Sequence, residues 1–262
     1  VRKIKKSNYQ TPVYMSATPI NSKKHNQLMT VKNLTSTSAD LYIYGEIVDN
    51  TDWKWDEADV MPDDVLDALN QVDGLDELNI YINSPGGSVF AGQAIYNMLN
   101  RNKAKKNVYV DGVAASMASV IAMVGDTIYI PSNAYLMIHK PLTIAIGNAT
   151  DFRDIAERLD VLEEGLINVY KDKLKTDVDI ETIKAMVEKE TWLTGDRVAE
   201  YFNVEVTEPK AIAACATDIL ARYDKTPSKL VAIDGGKPNN ESQLNNENEL
   251  IRFQNELDLL AL

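Results

Sequence analysis

Two side chains in this sequence have the types needed to move an acyl group. Ser116 stands in Val113-Ala114-Ala115-Ser116-Met117-Ala118-Ser119, and His139 in Met137-Ile138-His139-Lys140-Pro141. A serine hydroxyl is protonated at neutral pH and attacks a carbonyl effectively only when a neighbouring base takes its proton. Histidine suits that task, because it titrates near working pH and can return the proton to the leaving group. Of the two histidines, only His139 falls in a strand-and-helix region; His25 lies in a polar stretch with no matching nucleophile. Ser119, one helical turn beyond Ser116, is the local competitor. The third feature is Asn83-Ser84-Pro85-Gly86-Gly87-Ser88-Val89. Consecutive glycines reach backbone angles that other residues avoid and leave peptide N–H groups uncovered. A following helix N-terminus adds unpaired N–H groups and a positive dipole end. Together they could hold an oxyanion. Alone, Pro-Gly-Gly also reads as a tight strand-to-helix connection.

These residues must be held by the elements around them. Leu78 to Ile82 reads as a strand, and Val89 to Leu99 as a helix with Val89, Ile95, Met98 and Leu99 apolar. The same order then repeats. Asn107 to Val110 is a strand, Asp111-Gly112 a turn, and Val113 to Val124 an apolar helix with Ser116 at its mouth. Further strands are expected at Thr127 to Ile130 and Tyr135 to His139. Upstream, Asp40 to Val48 reads as the first core strand. Pro62, Asp63 and Asp64 open a helix with Val65, Leu66, Leu69 and Val72 on one face, ended by Gly74. Downstream, Asn148 or Thr150 caps a long helix over 151–174, with Ile155, Leu159, Leu162, Leu166, Val169 and Leu174 at helical spacing. A helix over 180–188, the segment Thr191 to Thr194, a short helix to Tyr201 and a strand over 204–206 complete the pattern. Strands alternating with helices predict crossover units, a largely parallel sheet and an α/β fold.

Composition bounds the rest. The chain has 262 residues, 45% hydrophobic, with a net charge of −12. That supports one domain of ordinary size plus tails, and argues against a general nucleic-acid binder, which needs a broad basic face. The basic cluster Arg2, Lys3, Lys5 and Lys6 reads as a solvated tail. The single cysteine, Cys215, excludes an intrachain disulfide and sits in an apolar, helix-like run. A cytoplasmic setting is expected, with no apolar signal region at the N-terminus. The longest apolar run, Val113 to Val124, is too short to span a bilayer. No metal-spaced His/Cys pattern and no phosphate loop appears, so neither metal nor cofactor is expected. Residues 1–38 read as a flexible arm, 39–207 as the domain and 208–262 as an extension. In that extension, 209–223 look helical, 224–243 read as a polar linker, and Leu250, Phe253, Leu257 and Leu260 mark a terminal docking helix or a frayed tail.

The blocks Asn83-Ser84-Pro85-Gly86-Gly87, Gly112 to Met117 and Met137 to Pro141 resemble, in order and spacing, those of the Clp protease proteolytic subunit family, ClpP. The resemblance covers roughly residues 40–207. Within it, the divergent flanks look most like the ClpP-related head-maturation (prohead) proteases of tailed phages. The resemblance implies a ClpP/crotonase-like fold of repeated β-β-α units with a long handle-type helix. It implies Ser116 as nucleophile, His139 as base, and Gly87 and Met117 as backbone oxyanion donors. Substrate would lie extended beside Gly86, Ser88 and Val89 and pair through its main chain. In the family an Asp stands three residues before the Leu of an aromatic-Leu-Ser segment. Trp192-Leu193-Thr194 matches that segment and places the acid at Glu190, a departure from Asp, with Glu188 as rival.

The implied activity is a serine endopeptidase acting inside a homo-oligomeric ring, with rings stacked through the handle. Its substrates would be scaffold and capsid proteins in an immature phage head. Neither nucleic acid nor membrane is expected as a partner. One rival is a housekeeping ClpP working with an ATP-dependent unfoldase, disfavoured by the long flanks. A second is a crotonase-type acyl-CoA enzyme, which would not require the Ser-His-acid set. A third is a catalytically silent shell or scaffold protein.

Overall fold

The computed structural model describes residues 31–49, 59–209 and 220–231. The polar arm over 1–30, the Trp53 and Trp55 segment, Cys215 with the body of the expected 209–223 helix, and the terminal apolar stretch lie outside the described residues.

The chain builds in order β1 (Ser38–Ile47), α1 (Pro62–Gln71), β2 (Glu77–Gly87), α2 (Val89–Arg101), β3 (Lys105–Ala115), α3 (Met117–Ala122), β4 (Thr127–Pro131), β5 (Tyr135–Ile138), α4 (Ala149–Lys171), α5 (Ile180–Glu188), β6 (Thr191–Thr194), α6 (Gly195–Tyr201) and β7 (Glu205–Thr207). The sheet runs β1-β2-β3-β4-β7, and β5 joins the far end of β3. All these pairs are parallel. The exception is β6, antiparallel to β5. This is the α/β architecture expected, with crossover helices between parallel neighbours.

The two faces of the sheet differ. Leu78, Ile80 and Ile82 of β2 and Val108 and Val110 of β3 are buried in the main core with α1, α2 and α3. The opposite face carries half-buried tyrosines. Tyr42, Tyr81, Tyr109 and Tyr129 are direct partners on adjacent strands and stack at centroid distances of 4.8, 4.9 and 4.8 Å. This explains the alternating pattern in strands that would read as continuous apolar runs if both faces were buried.

Two local expectations need correction. The Pro-Gly-Gly segment is not a turn outside the sheet. It continues β2, with Glu46 paired to Gly86 and Ile47 to Gly87. Between the pairs Tyr44↔Asn83 and Glu46↔Gly86, β2 carries one residue more than β1, a bulge that bends the strand end. Asp111-Gly112 likewise lies within β3, so the apolar helix opens after Ser116 and not at Val113. At Gly86 and Gly87 the pairing partners come from β1, while Asp111-Gly112 is held within β3 by the pairs on either side of it, Val110 with Ile82 and Val113 with Tyr135.

The long helix is capped by Asn148, whose side chain accepts from the backbone N–H groups of Thr150 and Asp151. Leu166, Ile167, Val169 and Tyr170 in its second half are buried. The part before Leu166 has no such core beneath it: Phe152 and Val161 are exposed, as are Leu142, Ile144 and Ile146 just before the helix. Replacing the fully buried Ile80 by Ala is expected to lower stability by about 2–5 kcal/mol. A urea unfolding curve with its midpoint shifted at constant slope would show it.

Candidate active site

Ser116 occupies the single position between β3 and α3, at φ 52° and ψ −124°. A non-glycine residue there stores backbone strain, of order 1–3 kcal/mol, that its surroundings must hold. Ser116 N–H donates to the Met137 carbonyl at 3.0 Å. The Ser116 carbonyl accepts from Ser119 Oγ at 2.6 Å, and Ser119 Oγ lies 2.8 Å from the Tyr170 hydroxyl. A serine has one hydroxyl proton, so Tyr170 is the donor in the second bond. Ser119 is fully buried and thus braces the elbow.

The elbow needs small neighbours. A Cβ on Gly86 would come within 2.5 Å of the Ala115 oxygen, 2.7 Å of Ser116 Cβ and 3.0 Å of Met117 N. On Gly87 it would fall 2.1 Å from the Ile47 oxygen. Gly86 therefore faces the serine and Gly87 faces β1, both at positive φ (92° and 143°). Met117 N–H is the first of α3, a position with no partner inside its own helix. Ser88 uses its hydroxyl to cap α2, accepting from Ala91 N–H, and is hydrogen-bonded to Asp49. Val89 packs half-buried against the main core.

His139 follows β5 and brings Nε2 to 2.8 Å from Ser116 Oγ. With its proton on Nδ1, Nε2 is free to accept from the hydroxyl. Burial lowers the imidazole pKa below its ordinary value, and the Glu190 charge opposes that shift. The ring therefore stands neutral at pH 7, the state a base requires.

The two candidate carboxylates separate clearly. Glu188 forms an ion pair with Lys140, which also lies 3.4 Å from Glu163. Glu190 sits between α5 and β6 at φ 47°. Its charge reaches His139, but its hydrogen bonds come from elsewhere: Lys225 N–H at 2.7 Å, Asp224 N–H at 3.2 Å and Trp192 Nε1–H at 3.2 Å.

Tyr223 was missed in the sequence. Its hydroxyl donates to the Pro85 carbonyl at 2.6 Å, and its ring stands edge-on to His139 at 5.2 Å and to Trp192 at 6.2 Å. Burial pushes this phenol up to about 12. Leu220 and Leu230 flank it, buried with Val113, Ala115 and Met137 in a second small core. Apolar residues within a Lys- and Pro-containing stretch were the only local signal. Among the described residues no group of His, Cys, Asp and Glu is placed to hold a metal ion. No helix among them is long and apolar enough to cross a membrane.

Residues 26–204 match the sequence model of the Clp protease family. Three bacterial relatives, each named ATP-dependent Clp protease proteolytic subunit, align with about half of the chain. That of Leuconostoc citreum is 36% identical over 137 residues, spanning 51% of this chain and 68% of the relative. That of Ligilactobacillus salivarius is 36% identical over 135 residues, again 51% and 68%. That of Bacteroides thetaiotaomicron is 34% identical over 140 residues, 52% and 62%. The match spans the three blocks that carry the serine elbow, the histidine and the glycine pair, and the chain belongs to the Clp protease family of serine peptidases.

Proposed function

We propose that this chain is an endopeptidase working by acyl transfer from Ser116. The observation that carries the reading is the 2.8 Å contact between Ser116 Oγ and His139 Nε2 at a strained elbow. Ser116 Oγ attacks a peptide carbonyl carbon while His139 takes its proton. Backbone N–H groups of Met117 and Gly87 hold the oxyanion. His139 then protonates the leaving amine, and water, deprotonated by the same imidazole, releases the acyl group. Glu190 supplies the negative charge that favours the imidazolium formed in between. Gly86, Ser88 and Val89 line the path of an extended substrate, with Gly86 leaving room beside the serine.

The biological role proposed is processing of scaffold and capsid proteins inside a homo-oligomeric ring within an immature phage head. The flanks outside the family match and the exposed apolar segment leading into α4 support that reading. The relatives' names favour a second one, a proteolytic subunit paired with an ATP-dependent partner. Degradation of folded substrates only when an unfoldase and ATP are added would decide for the second. Cleavage of an unfolded scaffold protein without either would decide for the first.

Three outcomes test the chemistry. A fluorophosphonate is expected to add once to the wild-type chain and not to Ser116→Ala, read by intact mass after prolonged exposure; no adduct on the wild type by then would overturn the assignment. Gly86→Ala places a methyl 3.0 Å from Met117 N. It is expected to cut kcat/KM about 10²–10³-fold, the usual effect of losing an oxyanion donor. The third is a pH profile. The base works when neutral, and burial lowers the His139 pKa, so activity is expected to persist below the ordinary imidazole range and fall only as pH drops through the lowered value. Glu190 raises that pKa, so in Glu190→Gln the acid limb moves to still lower pH.

A further inference from the structure

We infer that residues 220–231 inhibit this site in cis, by seating Tyr223 over the nucleophile and an apolar pair in the pocket beside it. This rests on the peptidase reading above and concerns how that site is regulated.

Four contacts coincide on one short segment. The Tyr223 hydroxyl donates to Pro85 O, the carbonyl immediately before the glycine pair, at 2.6 Å. Its ring lies against His139. A substrate carbonyl must enter between Ser116 and the Met117 and Gly87 N–H groups, and the phenol stands at that entry. Second, Asp224 and Lys225 direct their backbone N–H groups to the two oxygens of Glu190. A carboxylate engaged in this way is turned from His139 Nδ1, to which it makes no hydrogen bond. Third, Leu220 and Leu230, 0% and 2% exposed, fill the space bounded by Val113, Ala115, Met137 and Trp192. Two of these lining residues, Val113 and Ala115, belong to β3, the strand that leads into Ser116. Fourth, Arg222 pairs with Glu46 at 3.3 Å, at the β1 position that pairs with Gly86.

These contacts follow no substrate-like strand. The segment is a turn followed by a single helical turn, Ser228–Val231. It presents side chains to the serine, and its backbone N–H groups go to Glu190. No scissile peptide carbonyl is offered at Ser116, so the segment obstructs without being cut. The pocket it vacates on release is apolar and aromatic-walled.

The test uses the full chain and two variants, Leu230→Asp and Tyr223→Ala, neither of which takes part in acyl transfer. Fluorophosphonate labelling of Ser116 is timed, and amide hydrogen exchange over residues 220–231 is followed in parallel. The expected result is slow exchange in the wild-type segment, fast exchange in Leu230→Asp, and labelling at least tenfold faster in both variants. Equal labelling rates with a protected wild-type segment would overturn the inhibitory role. Wild-type exchange as fast as that of a free peptide would overturn the docking itself. No label on any form, with the segment protected, would instead sink the peptidase reading, and the inhibition with it.

Discussion

The positive φ of Ser116 is the constraint on which the rest of the site depends. An L-residue adopts such an angle only where its surroundings compensate the strain. The compensation comes from three directions. Met137 holds the N–H of Ser116 and Ser119 holds its carbonyl, while Tyr170 steadies Ser119 from a different helix. Gly86 leaves the space that the turned backbone requires. The result is a hydroxyl that projects from the sheet end toward an imidazole carried by the next strand but one.

Electrostatics at the site are divided between two opposing effects. Burying His139 favours its neutral form, which makes it ready to accept a proton. The same burial penalises the imidazolium form, and the Glu190 charge offsets part of that penalty. Glutamate is one methylene longer than the aspartate of the family pattern. It stands at a left-handed backbone position that redirects the side chain. Its carboxylate accepts from Asp224 and Lys225 N–H groups and from Trp192, so in this arrangement its influence on His139 is by charge, without a hydrogen bond between them.

Most of the core site was legible because its signals are local. Ser116, His139 and the glycine pair lie in short blocks, and helical spacing placed α2, α4 and α5 close to their observed bounds. The strand ends were less legible. Asp111-Gly112 and Pro85-Gly86-Gly87 carry turn residues, yet sheet neighbours draw them into β3 and β2. Tyr223 was not legible at all. Its partner Pro85 lies 138 residues away, and nothing in the spacing of a polar stretch announces a contact of that range. Residues 224–243 read as a linker by composition, while Asp224 and Lys225 bind Glu190 through main-chain atoms that composition does not encode.

The stacked tyrosines have a bearing on chemistry carried out at the end of the sheet. Tyr42, Tyr81, Tyr109 and Tyr129 meet only when four strands share one alignment. Sliding any strand by one residue would turn its ring toward the apolar core and bring a core side chain out in its place. It would also shift the strand by about 3.3 Å along its neighbour. Strand β2 carries Gly86 and β3 leads directly into Ser116, so such a slip would part the glycine from the serine by more than a hydrogen bond tolerates. The aromatic column thus serves as a gauge of alignment: a folding chain that completes it has already brought the two halves of the catalytic corner to their working separation.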